Sequence, residues 1–245
     1  MRLSLLSLGL PVILASPLNS SAAKPIYWLL AGDSTTAPNG GWGDAYLSTT
    51  VAVVSSGHNY GHSGATTASF RAGGDWGKVI KDVGTNKEKY NVYVTIQFGH
   101  NDQKEASGVT VEQFKANLKK FTDEVKSAGA TPILLTPLTR RVFSGSKVVQ
   151  NLAEQRTATI AVAEANAVKF ADLNIASENY VNAIGKTAAS KYNLADGDWT
   201  HVNEWGGVVF SRIVSDILVE KFPELVPFVK KNETLSALIR EGKAA

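Results

Sequence analysis

Ile26 to Ala31 is an unbroken apolar run that stops at Gly32, the pattern of a strand buried on both faces that then meets a loop. Val51 to Val54 and Val92 to Phe98 read similarly, the second rich in β-branched and aromatic residues and closed by Gly99. From Thr110 the period changes. Val111, Phe114, Leu118, Phe121 and Val125 recur at steps of three and four and share one helical face, with Thr110 and Gln113 as a capping box and Gly129 as the stop. Ile133 to Thr136 reads as a further buried strand, Leu152 to Phe170 as a long alanine-rich helix and Ala171 to Leu173 as a short strand. Glu178 to Tyr192 and Trp205 to Phe222 read as helices. This alternation predicts an α/β chain with a parallel sheet flanked by helices, and no repeat, low-complexity linker or domain boundary interrupts it. Ligands of such sheets bind beyond the carboxyl ends of the strands, so the loops carrying Ser34, Gly64 and Asn101 are expected to converge at one edge.

Composition narrows the class. With 245 residues, 44% of them hydrophobic and 19% charged, one globular domain is the expectation. The formal charge of +3 is spread thinly, without the dense basic run that a nucleic-acid partner requires. There is no cysteine, which excludes disulfides, thiolate metal sites and a cysteine nucleophile. The N-terminal residues read as a secretory signal over 1–23: Arg2, an apolar run from Leu3 to Ala15, then small residues ending Ser21-Ala22-Ala23. That run is too short to cross a bilayer, so a secreted protein without a membrane partner is expected, with residues 24–245 as its mature domain. Two sequons begin at Asn19 and Asn232, of which only the second would survive cleavage of the leader.

Three segments carry candidate chemistry. Ser34 follows Gly32 and Asp33 at a strand end, where a hydroxyl can be presented as a nucleophile once a base removes its proton, or can merely cap a helix. Asp198 and His201 lie three apart in a segment without helical periodicity. There a carboxylate could orient an imidazole as general base, or simply close a local turn. An oxyanion would need fixed donors, for which the Ser34 amide, the Gly64 amide and the Asn101 side chain are candidates.

Gly32-Asp33-Ser34-Thr35, Asn59 to Gly64, Gly99-His100-Asn101-Asp102 and Asp198-Trp199-Thr200-His201 stand in the order of the four blocks of the SGNH (GDSL-like) hydrolases. The chain resembles that family over about residues 25 to 222, and within it most resembles the rhamnogalacturonan acetylesterase branch. The resemblance implies a flavodoxin-like three-layer α/β/α sandwich and a serine esterase that needs no metal or cofactor. It implies Ser34 as nucleophile, His201 as base, Asp198 as orienting acid, and Ser34, Gly64 and Asn101 as the oxyanion hole. The implied partner is an acetylated plant cell-wall polysaccharide, rhamnogalacturonan first, taken by a monomer. Acetylated xylan, a small ester or a lipid is the alternative substrate, and a non-catalytic carbohydrate-binding protein on this fold is the alternative class. The basic tail after Phe222 and the lack of disulfides depart from the branch.

Trp76 and Trp199 are candidate aromatic faces for stacking on sugar, with a place in the core as the alternative for each, and Arg71 is either a cation to meet a uronate carboxylate or a solvated surface charge. His58 and His62 are spaced as metal ligands on a helix would be, but Gly57, Gly61 and Gly64 argue against a helix there.

Overall fold

The computed structural model describes residues 24–245. The expected leader and the Asn19 sequon lie outside the described residues. β1 (Ile26–Gly32) is the axis of the sheet, with Trp28 and Leu30 facing one helical layer and Leu29 and Ala31 the other, all fully buried. Being apolar on both faces, it must be covered on both. Full burial of a leucine such as Leu29 or Leu30 contributes about 1.5–3 kcal/mol.

Five strands pair in the order β2-β1-β3-β4-β7, and every pairing is parallel. They are β1, β2 (Ser56–Asn59), β3 (Asn91–Gln97), β4 (Thr131–Leu135) and β7 (Lys169–Ala171). The chain leaves β1 first to one side and then to the other, so the sheet has a switch point between β1 and β3. Gly32 lies opposite Gln97 in that pairing, so the loops that follow, bearing Ser34 and Asn101, emerge side by side.

One layer holds α1 (Gly43–Ala45) with the π turn Tyr46–Thr50, α6 (Leu173–Ser190) and α7 (Glu204–Lys221), whose Tyr46, Val181, Phe210 and Val214 pack on Trp28 and Leu30. The other holds α2 (Thr67–Ala72), α3 (Asp75–Asn86), α4 (Val111–Ala128) and α5 (Ala153–Ala165). Here Phe70, Trp76, Phe98 and Phe121 form an aromatic cluster, with Trp76 and Phe121 centred 4.1 Å apart. α4 has the expected ends: Thr110 and Gln113 form a reciprocal capping box, and Gly129 adopts φ +91° at its stop.

Several boundaries differ from the sequence pattern. Val51 to Val54 is no sheet strand: Val51 makes an isolated bridge to Val229, and Val53 and Val54 are exposed. The edge strand is the polar β2, half covered and so without an apolar run to announce it. α5 ends at Ala165, and β7 begins at Lys169, two residues before the expected strand. Asp172 then accepts from the Ile175 amide and starts α6 at Leu173. A hairpin of β5 (Phe143–Ser144) and β6 (Lys147–Val148) adds to the sheet loops. The tail after Phe222 folds into a 3₁₀ segment (Pro223–Phe228) and α8 (Glu233–Arg240), which bury Leu225 and Leu235 against the core.

Candidate active site

Gly32 has no room for a side chain, since a Cβ there would stand 2.3 Å from Thr36 Oγ1 and 2.8 Å from the Gln97 carbonyl. This close approach lets the chain turn sharply after β1, where the Asp33 carbonyl accepts from the Thr36 (3.1 Å) and Ala37 (3.0 Å) amides. A buried polar network fixes the turn from below. Trp42 Nε1 donates to Gln97 Oε1 (2.7 Å), Gln97 Nε2 to Thr35 Oγ1 (2.5 Å), and the Thr35 hydroxyl and amide to Asp33 Oδ1 (2.8 and 2.9 Å). Burial raises the Asp33 carboxyl, but His100, whose Nδ1 is 3.4 Å from Asp33 Oδ2, and the Thr35 donors outweigh it and hold Asp33 below the usual carboxylate range.

Ser34 sits above this network, and its Oγ is 2.9 Å from His201 Nε2. His201 Nδ1 is in turn 2.9 Å from Asp198 Oδ2. An ionised carboxylate only accepts, so Nδ1 carries the proton and Nε2 offers its lone pair to the serine hydroxyl. Asp198 does both things its spacing allows. Oδ1 closes a local turn on the Thr200 (3.0 Å) and His201 (2.9 Å) amides, and Oδ2 holds the imidazole. Partial burial raises the Asp198 carboxyl, while those amides and His201 lower it by more, so it stays ionised below the usual range.

The loop bearing Asp198 and His201 is strapped by a residue with no sequence signal. Arg141, fully buried, donates from Nε to Asn193 Oδ1 (2.6 Å) and from Nη2 to the His201 carbonyl (2.5 Å), and its amide donates to the Trp199 carbonyl (2.8 Å). Burial lowers the guanidinium to about 10, against the pull of Asp198, and it remains a cation at neutral pH. Arg140 beside it donates to Thr200 Oγ1 (3.2 Å) and to the His100 carbonyl (3.3 Å), linking this loop to the one after β3.

Gly64 has φ +82°, a conformation that favours glycine. Among the described residues neither its amide nor that of Ser34 donates to a protein acceptor. Asn101 Nδ2 donates one hydrogen to the Ala65 carbonyl (3.0 Å), which leaves its second N–H available. Ser34, Gly64, Asn101 and His201 line one cavity of about 440 Å³ at the switch point, together with Lys104 and Arg140. Two unclaimed backbone donors and one amide N–H beside a serine hydroxyl can receive the oxygen of a tetrahedral adduct.

The expected substrate contacts do not join this cavity. Trp76 is a core residue, 3% exposed, with Nε1 on Glu124 Oε2 (2.5 Å). The Arg71 guanidinium is held by both oxygens of Glu124 (3.2 and 3.0 Å). Both expectations are corrected for one reason: Glu124, a turn of helix away from Phe121 on α4, claims the two side chains that the sequence left unpaired. Trp199 is partly exposed and gives its carbonyl to Arg141. His62 pairs with Asp75 (2.5 Å), and the His58 ring lies on Tyr60 with centroids 4.3 Å apart. Lys104, Arg140 and Arg141 were not legible, since isolated cations carry no motif.

A parallel α/β sheet with a hydrogen-bonded serine, histidine and aspartate at its carboxyl edge suits a serine-dependent hydrolase. Comparison with known proteins specifies the class. Residues 30–207 match the model of the GDSL-like Lipase/Acylhydrolase family. The chain is 30% identical over 220 residues to the rhamnogalacturonan acetylesterase RhgT of Bacillus subtilis (strain 168), covering 80% of this chain and 91% of that one. The crystal structure of the YxiM protein of Bacillus subtilis superimposes with a TM-score of 0.69 at 25% identity, covering 81% of this chain and 56% of that one. The acetylxylan esterase Axe2 of Geobacillus stearothermophilus shares the fold at 18% identity, with a TM-score of 0.55 over 81% of this chain and 94% of that one. The chain belongs to the GDSL-like lipase/acylhydrolase family and is a carboxylic ester hydrolase.

Proposed function

We propose that this esterase removes acetyl groups from a plant cell-wall polysaccharide, with rhamnogalacturonan as its substrate, through an acyl-serine intermediate. The contact of 2.9 Å between Ser34 Oγ and His201 Nε2 carries the mechanism. As Ser34 attacks the acetyl carbonyl, His201 takes its proton and Asp198 stabilises the imidazolium. The amides of Ser34 and Gly64 and the free N–H of Asn101 receive the oxyanion. His201 then returns the proton to the leaving sugar oxygen, and water, deprotonated by the same imidazole, attacks the acyl carbonyl and releases acetate.

The likeness to a rhamnogalacturonan acetylesterase supports the substrate, and Arg140, in no ion pair among the described residues, gives the cavity a positive wall suited to a uronate-bearing polymer. The signal-like pattern from Arg2 to Ala23 supports secretion, which N-terminal sequencing of protein from the culture medium would test. The deciding experiment is acetate release from acetylated rhamnogalacturonan, acetylated xylan and an aryl acetate, with Ser34→Ala alongside. Serine-dependent preference for rhamnogalacturonan supports both chemistry and substrate. Serine-dependent release from the other two alone discards the pectic substrate, and saturable binding without release discards catalysis.

A further inference from the structure

Lys104 extends from the loop after β3 to place Nζ 2.7 Å from Asn101 Oδ1. The loop is built for this reach: the Lys104 amide donates to the Asn101 carbonyl (3.1 Å) and the Ser107 amide to the Lys104 carbonyl (2.8 Å), so the two residues share one turn. Asn101 is 7% exposed, and with Ala65 on its nitrogen and Lys104 on its oxygen both ends of the amide plane are held. Only the second N–H is free, in the cavity that also presents Ser34 Oγ. Lys104 pairs with no carboxylate among the described residues, so its charge is not cancelled by a partner.

We propose that Lys104 is a positioning residue for ester hydrolysis, acting through Asn101. Its ammonium fixes the amide plane and draws density from the carboxamide, which strengthens the N–H offered to the oxyanion. The proposal rests on the oxyanion role of Asn101 given above. Lys104 is itself exposed, so water screens its charge. The effect is therefore smaller than the roughly 10²- to 10³-fold loss that follows removal of an oxyanion donor.

The test is a double-mutant cycle on the full chain with an aryl acetate, comparing Asn101→Ala, Lys104→Met and the pair, with Lys104→Gln and Lys104→Arg as graded replacements. Expected are a fall of about tenfold in kcat for Lys104→Met with KM within about twofold, and recovery in Lys104→Arg to within about threefold of the parent. Lys104→Gln, which can donate but carries no charge, is expected to fall between them. Affinity for a boronic acid, which forms an anionic tetrahedral adduct on serine, is expected to follow kcat. In the Asn101→Ala background, Lys104→Met is expected to cost about twofold or less. An equal cost in both backgrounds, a change confined to KM, or an unchanged kcat in Lys104→Met overturns the inference. Full kcat in Asn101→Ala overturns instead the oxyanion reading beneath it. If Lys104→Met does not fold, Lys104→Gln and the boronate series decide the same question.

Discussion

Asp102 Oδ1 accepts from both the amide (2.8 Å) and the hydroxyl (2.6 Å) of Thr67, and so fastens the loop after β3 to the start of α2. The two loops that supply Asn101 and Gly64 are joined by this carboxylate and by the bond from Asn101 to Ala65. Placement of the cavity donors is thus a property of the pair of loops rather than of either alone.

Asp102→Ala leaves two buried Thr67 donors unsatisfied. A loss of about 2–3 kcal/mol in denaturant unfolding is expected, with a fall in kcat. Asp102→Asn keeps an acceptor and should restore most of both. Burial raises the Asp102 carboxyl above its ordinary value, against the Thr67 bonds, so the folded state binds the proton more tightly than the unfolded one. Stability therefore declines as pH rises from the ordinary carboxylate value through the raised one. The Asn variant, which cannot titrate, lacks that decline. An unchanged pH–stability curve in Asp102→Asn would refute the assignment.

Ser34→Ala and His201→Ala are expected to lower kcat on an aryl acetate by about 10⁶-fold without shifting the thermal melt by more than a few degrees. A folded Ser34→Ala protein that keeps its turnover would sink the acyl-serine route.

The two glycines of the site fail differently. At Gly64 a Cβ meets nothing within 4 Å, so Gly64→Ala feels only the φ of +82°, about 1–2 kcal/mol of strain. That strain falls on a proposed oxyanion donor, so kcat drops while the fold survives. At Gly32 the Cβ collides with Thr36 and the Gln97 carbonyl, and Gly32→Ala is expected to lower soluble yield and Tm. Circular dichroism melts and aryl acetate kinetics separate the two.

Arg141→Met removes the donors to Asn193 Oδ1 and the His201 carbonyl. A destabilisation of about 2–4 kcal/mol and a loss of kcat are expected, and Arg141→Lys should not rescue them, since an ammonium cannot bridge the two acceptors as a planar fork does. Equal stability and activity in the Lys variant would show that the fork is dispensable.

Asp198 lies below the usual carboxylate range in the folded state. Its contribution to stability is complete above the ordinary value and is lost as pH falls through the lowered one. Asp198→Asn is expected to flatten the pH–stability curve below about pH 4, its unperturbed range. An acid limb of the pH–stability curve that is as steep in Asp198→Asn as in the parent would contradict this.

The sequence by itself determined what local pattern can record. Runs buried on both faces, such as Ile26 to Ala31 and Val92 to Phe98, mark inner strands because both their faces must be apolar. The period from Val111 to Val125, with its Thr110–Gln113 box, marks α4 because capping and periodicity act within a few residues. The order of the four blocks pointed to Ser34, Asp198 and His201, and the fold brings them into one hydrogen-bonded line. Tertiary structure alone decided the rest. β2 is a polar edge strand defined by the register of its neighbour, and Val53 and Val54, apolar but exposed, misled the pattern. Trp76 and Arg71 belong to Glu124, 48 and 53 residues away, while Arg140 and Arg141 gained their places from atoms on other loops. A side chain's partner across a long loop is set by how the layers pack, and that free energy leaves no trace in the spacing of neighbouring residues.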